Sequence, residues 1–206
     1  HHFTDEHNNL RRQELGIAHS DFVFIFVGRI VGDKGIHELV ESFRNVEAIL
    51  IGGDMRAKLL LVGPLEPDLD PINPKTLQEI EGNPNISSVG YKNDVRPYFA
   101  MANALVFPSY REGFPNVVMQ AGALGLPSVV SDINGCNEII EDGENGMIVP
   151  VKDSAKLTEA MCQIVLQSKY YEHLKGNARN KISARYEQQV VWDSLLEEYR
   201  NLLNEE

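Results

Sequence analysis

The chain has 206 residues, 43% of them hydrophobic and 24% charged, which suits one globular domain with a sizeable core, or a domain plus an appendage. With 30 acidic and 19 basic residues the net charge is −11, and no basic patch stands out, which argues against a nucleic-acid partner and means that an anionic ligand needs local positive charge. No apolar run approaches membrane-spanning length and no signal peptide is visible; the two cysteines, Cys136 and Cys162, lie far apart without metal-ligand spacing and read as buried reduced thiols of a cytoplasmic protein.

Residues 1–20 read as a loosely held leader, with His1 and His2 as a tag remnant and a short helix at Asn9–Leu15. His7 and His19 have no carboxylates near them in a metal pattern, and no metal site is expected. The run FVFIFV, Phe22 to Val27, predicts a buried strand. It enters a loop, Gly28 to Gly35, that carries Arg29 and Lys34 and leads to a helix over Ile36–Ile51, with Leu39, Val40, Phe43 and Val46 as its core face. A glycine-bearing loop with two cations between a strand and a helix is a phosphate-binding geometry, but the same spacing also fits two solvated cations. It is not a P-loop, because Gly35 rather than Ser or Thr follows Lys34, and it contains no GxGxxG fingerprint.

Lys58–Val62 is the next expected strand, followed by a loop from Glu66 to Pro74 and a helix over Lys75–Glu81. A short strand at Ile86–Val89 delivers Gly90 and Tyr91 at its carboxyl end, and Asp94 is placed as the N-cap of a helix to Met101. Ala104–Phe107 ends a buried strand, and the turn-rich segment PSYREGFPN follows it. A helix starts at or after Pro115, with Val117, Val118, Ala121 and Leu124 on its apolar face, and Gly125 and Pro127 end it. Ser128–Ser131 is a further strand.

Helical side chains lean toward the N-terminus, so Glu112 in the loop and Gln120 in the helix can face one pocket. On the helix signals alone a capped helix start with a solvated Glu fits equally well. Ile133–Ile140 reads as a loop into a short helix, in which Glu138 could face the pocket but better suits a surface or capping role. A turn cluster at Asp142–Gly146 precedes a last strand, Met147–Val149. From Asp153 onward the chain is helical, with helices capped by Asp153 or Ser154, over Lys169–Tyr186, and over Glu187–Leu203.

Strands and helices alternating through short connections predict an α/β fold: a Rossmann-like, doubly wound parallel sheet of about six strands, followed by C-terminal helices. Right-handed crossovers bring the strand-to-helix loops at Arg29–Lys34, Gly90–Tyr91 and Tyr110–Pro115 to one edge. The organisation expected is a leader over 1–20, the Rossmann-like domain over 21–185 and a C-terminal helix over 186–206.

Glu112-Gly113-Phe114-Pro115, followed by Gln120-Ala121 and Gly125-Leu126-Pro127, closely resembles the signature of the family 4 retaining glycosyltransferases of the GT-B fold. The family pattern has a second Glu where this chain has Gln120. The resemblance runs from about Asp21 to the C-terminus and implies the donor-binding half of an enzyme that moves a sugar from a nucleoside diphosphate to an acceptor. It assigns Arg29 and Lys34, next to Gly28, to the diphosphate, Glu112 to the sugar hydroxyls, and Gln120 to the ribose. Gly90 and Tyr91 fall where the base is contacted, and Gly113, Phe114, Pro115, Asn116 and Val117 line the donor at the helix N-terminus. No cofactor or metal is implied. The implied partners are the nucleotide-sugar donor and an N-terminal acceptor domain of the same protein, with work in cell-surface polysaccharide synthesis at the cytoplasmic membrane face. A GT-B sugar-nucleotide epimerase, or a non-catalytic binding or scaffold domain, is the alternative. Gln120 gives the second some weight, whereas Arg29, Lys34 and Glu112 together count against it.

Overall fold

The computed structural model describes residues 5–66 and 70–204. Six parallel strands form one sheet in the order β3-β2-β1-β4-β5-β6: β1 (Phe22–Val27), β2 (Ala57–Val62), β3 (Ile86–Ser88), β4 (Ala104–Phe107), β5 (Ser128–Ser131) and β6 (Gly146–Val149). The expected sheet is therefore present. Chain order reverses between β1 and β4, where a crevice opens at the carboxyl ends of the strands.

Continuous apolar runs suit the centre of such a sheet, which is covered on both faces. Phe24, Ile25 and Phe26 of β1 and Leu59, Leu60 and Leu61 of β2 are wholly buried, pairing in register from Phe22 beside Ala57 to Val27 beside Val62. Burying each such side chain contributes about 1.5–3 kcal/mol.

The helices are α1 (Asp5–Glu14), α2 (Ile36–Leu50), α3 (Pro74–Gly82), α4 (Arg96–Phe99), α5 (Asn116–Ala123), α6 (Cys136–Ile139), α7 (Ser154–Leu166), α8 (Ser168–Tyr186) and α9 (Gln188–Asn204). Their starts follow local chemistry. Asn73 accepts from the Thr76 amide, with Pro74 in the first turn of α3, and Asp153 accepts from the Lys156 amide to cap α7. Among the described residues no helix is long and apolar enough to cross a membrane.

Several expectations are corrected. The leader from Asp5 onward is tied to the domain rather than loose. The Arg12 guanidinium donates to the carbonyls of Met101 (2.8 Å), Asp21 (2.6 Å) and Ala18 (3.1 Å), and Ile17 is buried. Residues 1–4, with His1 and His2, lie outside the described residues. Asp94 does not cap a helix reaching Met101. It accepts from the Arg96 amide and guanidinium one position too early, and α4 is a single turn beginning after Val95. Leu124 is exposed instead of joining the core face of α5, where Val118, Ala121 and Gly122 are buried, because the helix has already ended before it.

Candidate functional site

The site grows from the loop after β1. Its backbone is fixed to the neighbouring strand ends: Gly28 donates to Val62 O (2.9 Å) and Ile30 to Pro64 O (2.8 Å). Ile30 and Val31 are buried, which leaves Arg29 projecting at 45% exposure, with a 3.5 Å pairing to Glu66. A 3-10 turn at Gly32–Lys34 follows, pinned by the Asp33 amide, which donates to Asp70 Oδ2 (2.6 Å). Gly35 then turns the chain into α2 in the left-handed region (φ 68), a conformation that glycine adopts without a steric penalty. It also lies against the loop after β4: any Cβ there would collide with the Pro108 carbonyl oxygen.

That close approach joins the two loops. The Tyr110 amide donates to Asp33 O (2.9 Å), and Lys34 Nζ reaches Glu112 Oε1 at 2.5 Å. Both side chains of this ion pair are well covered, Lys34 at 13% exposure and Glu112 at 20%. Ser109, fully buried, donates to the same carboxylate oxygen (2.9 Å). Tyr110 donates its hydroxyl to Glu38 on α2, at 2.7 and 2.8 Å from its two oxygens, and the Lys152 ammonium stands 4.6 Å from the Tyr110 ring centre. Burial first, and then the Glu38 carboxylate, hold the Tyr110 phenol well above its ordinary range. Lys152 is the one non-glycine residue at positive φ among the described residues (φ 59).

The remaining loops close around this pair. Gly135, entering α6, abuts Gly113 O and Pro115, leaving no room for a side chain. Phe114 packs edge-on against Tyr186, whose hydroxyl donates to Glu138 O (3.0 Å). On the other side of β1, the Gly63 amide donates to Gly90 O (3.0 Å). A groove of about 400 Å³ runs there between Gly28, Arg29, Pro64, Tyr91 and Val95. It has mostly apolar walls and lies at the carboxyl ends of β1 and β2. A second concavity, of about 280 Å³, lies between α2 and α3, where lining side chains bond one another: His37 Nδ1 lies 3.0 Å from Thr76 Oγ1 and 3.1 Å from Asn73 Nδ2.

The structure thus brings Lys34 to Glu112, and Gly28 and Arg29 to the groove beside Gly90 and Tyr91. Gly113, Phe114, Pro115, Asn116 and Val117 form the loop and first turn beside the pair; Phe114 and Asn116 are exposed, Val117 is half-buried and Pro115 is buried. Gln120 is exposed on α5; its backbone carbonyl accepts from the Leu124 amide (3.2 Å), and its side chain makes no hydrogen bond among the described residues, to Glu112 or any other. Sequence reading overlooked Ser109 and the pairing of Tyr110 with Glu38; Cys136 is buried as expected, whereas Cys162 is only half-buried. The only signal was that Ser109 and Tyr110 fall inside the PSYREGFPN segment.

A family model described as glycosyl transferases group 1 matches residues 21–167. The chain belongs to that family. The span that matches this glycosyl transferases group 1 model contains Arg29, Lys34, Glu112 and Gln120 and stops just past α7. Among curated relatives, the chain is 30% identical over 203 residues to the capsular polysaccharide biosynthesis glycosyltransferase CapM of Staphylococcus aureus, covering 98% of this chain and 52% of that protein. It is 26% identical over 207 residues to the alpha-D-kanosaminyltransferase of Streptomyces kanamyceticus, covering 97% and 52%. The chain spans about half the length of the curated relatives it matches. Among solved structures, HepE of Anabaena, determined in complex with UDP and glucose, superposes with a TM-score of 0.82 at 21% identity, over 96% of this chain and 53% of that one. That likeness shows a shared Rossmann-like fold.

Proposed function

We propose that this chain is the nucleotide-sugar-binding half of a retaining glycosyltransferase of family 4 within the GT-B fold, and that it acts in cell-surface polysaccharide synthesis. One observation carries the reading: a lysine from the β1 loop and a glutamate from the β4 loop meet at the switch point of the sheet. That crevice is where open α/β sheets take their ligands. The family membership and the polysaccharide-building role named for CapM support the class of reaction.

In this reading Arg29 and Lys34 hold the diphosphate and stabilise the charge that develops on the leaving nucleotide, so that no metal is required. The amides at the start of α5 assist them. Glu112 takes the sugar hydroxyls, and the apolar groove beside Gly90 and Tyr91 takes the base. Gln120 meets the ribose through one acceptor oxygen and an amide donor, a weaker grip than a carboxylate would give. The rest of the protein supplies the acceptor site, covers the apolar face of α9 and works at the cytoplasmic face of the membrane.

A thermal-shift panel of UDP, GDP, ADP and their sugars tests the reading. A cognate ligand at 100 times its dissociation constant stabilises by about 2.7 kcal/mol. Lys34→Ala should weaken the diphosphate roughly tenfold or more while sparing the nucleoside. Equal losses for both would place Lys34 away from the phosphates.

A further inference from the structure

We propose that Lys34, Glu112 and Ser109 form a selectivity latch that favours the sugar-loaded nucleoside diphosphate over the free nucleoside diphosphate. The inference rests on the donor-site reading above and adds to it a role for the contact between the two charges and a role for Ser109.

The two charged groups assigned to neighbouring parts of the donor, the diphosphate and the sugar, hold each other at 2.5 Å, both largely covered. A diphosphate reaches the Lys34 ammonium only by drawing it from Glu112 or by sharing it. If Lys34 is drawn away, a poorly solvated carboxylate faces a second anion without a cation between them. An uncompensated charge in a covered position is strongly unfavourable. The sugar of a nucleotide sugar brings hydroxyl donors that take the place of the ammonium on Glu112. A free nucleoside diphosphate brings none, so the same displacement is offset only for the loaded donor.

Ser109 is the pivot. Its buried hydroxyl donates to Glu112 Oε1 (2.9 Å) and also lies 3.2 Å from Arg111 O and 3.5 Å from Asp33 O. A hydroxyl has one proton to give. Ser109 can therefore hold Glu112, or release it and turn to either carbonyl without leaving its proton unpaired. In the paired arrangement Oε1 has two donors, while Oε2 accepts no hydrogen bond among the described residues and is the oxygen open to a ligand.

Glu112→Gln removes the charge but keeps the size and an acceptor for Ser109. Calorimetry with UDP, GDP, ADP and the corresponding nucleotide sugars, on the parent chain and on E112Q, reads the latch directly. The variant should bind the free nucleoside diphosphate that the parent recognises roughly tenfold more tightly. Its affinity for the nucleotide sugar should stay level or fall, so that the preference shrinks or inverts. Ser109→Ala keeps both charges and carries the test independently: the preference for the loaded donor should erode by a few-fold, with the melting temperature reporting the fold. An unchanged free-diphosphate affinity in E112Q, or an unchanged preference in S109A, overturns the latch and leaves the donor site standing. Binding of no nucleotide or nucleotide sugar to parent or variants overturns the donor site, and the latch with it.

Discussion

Cys136 is wholly buried in the first turn of α6, within electrostatic reach of Lys34 and Glu112. Burial, and then the Glu112 carboxylate, push its thiol from an ordinary value of 9.0 up to about 12, with Lys34 opposing. The folded state therefore holds this proton more tightly than the unfolded chain does. The corresponding stability is intact below pH 9 and is lost as the pH climbs toward 12. Denaturant midpoints should fall over that alkaline interval, and Cys136→Ala should flatten the decline; an unchanged slope would remove Cys136 from the account. At neutral pH the thiol should resist alkylation until the chain unfolds. Tyr110→Phe removes the hydroxyl that Glu38 accepts, and equilibrium unfolding should register a loss of about 1 kcal/mol. At this scale the sequence shows which residue types are present but not how they pair. Glu112, in a turn-rich loop, is legible as a residue outside the core. Its seat on Lys34 and Ser109 is not, because those partners come from the meeting of two loops.

The two loops meet at Gly35, so the element that decides the site is a junction of backbones. Gly35→Ala would force a side chain into both a left-handed backbone and the Pro108 carbonyl. We expect a loss of about 3 kcal/mol or more, read as a lowered denaturant midpoint, together with weaker nucleotide binding as the loop that carries Arg29 and Lys34 shifts out of the diphosphate site. A neutral result would mean that the loops have slack. The strands themselves are legible from local pattern. Phe22–Val27 is too short and too uniformly apolar for a surface helix, and β5 is brief and rich in valine. The helix after Pro115 is legible from its proline start and glycine stop, but the fate of Leu124 is not. A repeat of apolar residues cannot show where the last turn ends, and α5 ends before Leu124 reaches the core. Asp94 fails for a related reason: an acidic residue before a helical run can bond one amide too early and make a turn rather than a cap.

For the whole molecule, the main departure from a self-contained domain is α9. Trp192, Leu195, Leu196, Tyr199, Leu202 and Leu203 are all exposed, and the helix comes close to the preceding helix α8 without burying a side chain of its own among the described residues. Helical periodicity makes this apolar face legible in the sequence and alone reads it as core, but among the described residues nothing buries it. Because α9 adds little to the buried core, a chain ended at Tyr186 should keep one cooperative thermal transition. Its midpoint should shift by no more than about 4 °C in calorimetry. Loss of the transition would make α9 part of the core after all. The join between α8 and α9 is a single extended residue, Glu187 (φ −62, ψ 139), next to the Tyr186 that packs on Phe114. At 1.5 Å of rise per residue the 17 residues of α9 form an arm of about 25 Å. Turning that arm by about 10° at Glu187 sweeps its tip through roughly 4 Å, as a lever does about its fulcrum, and the fulcrum bears on the loop that carries Glu112.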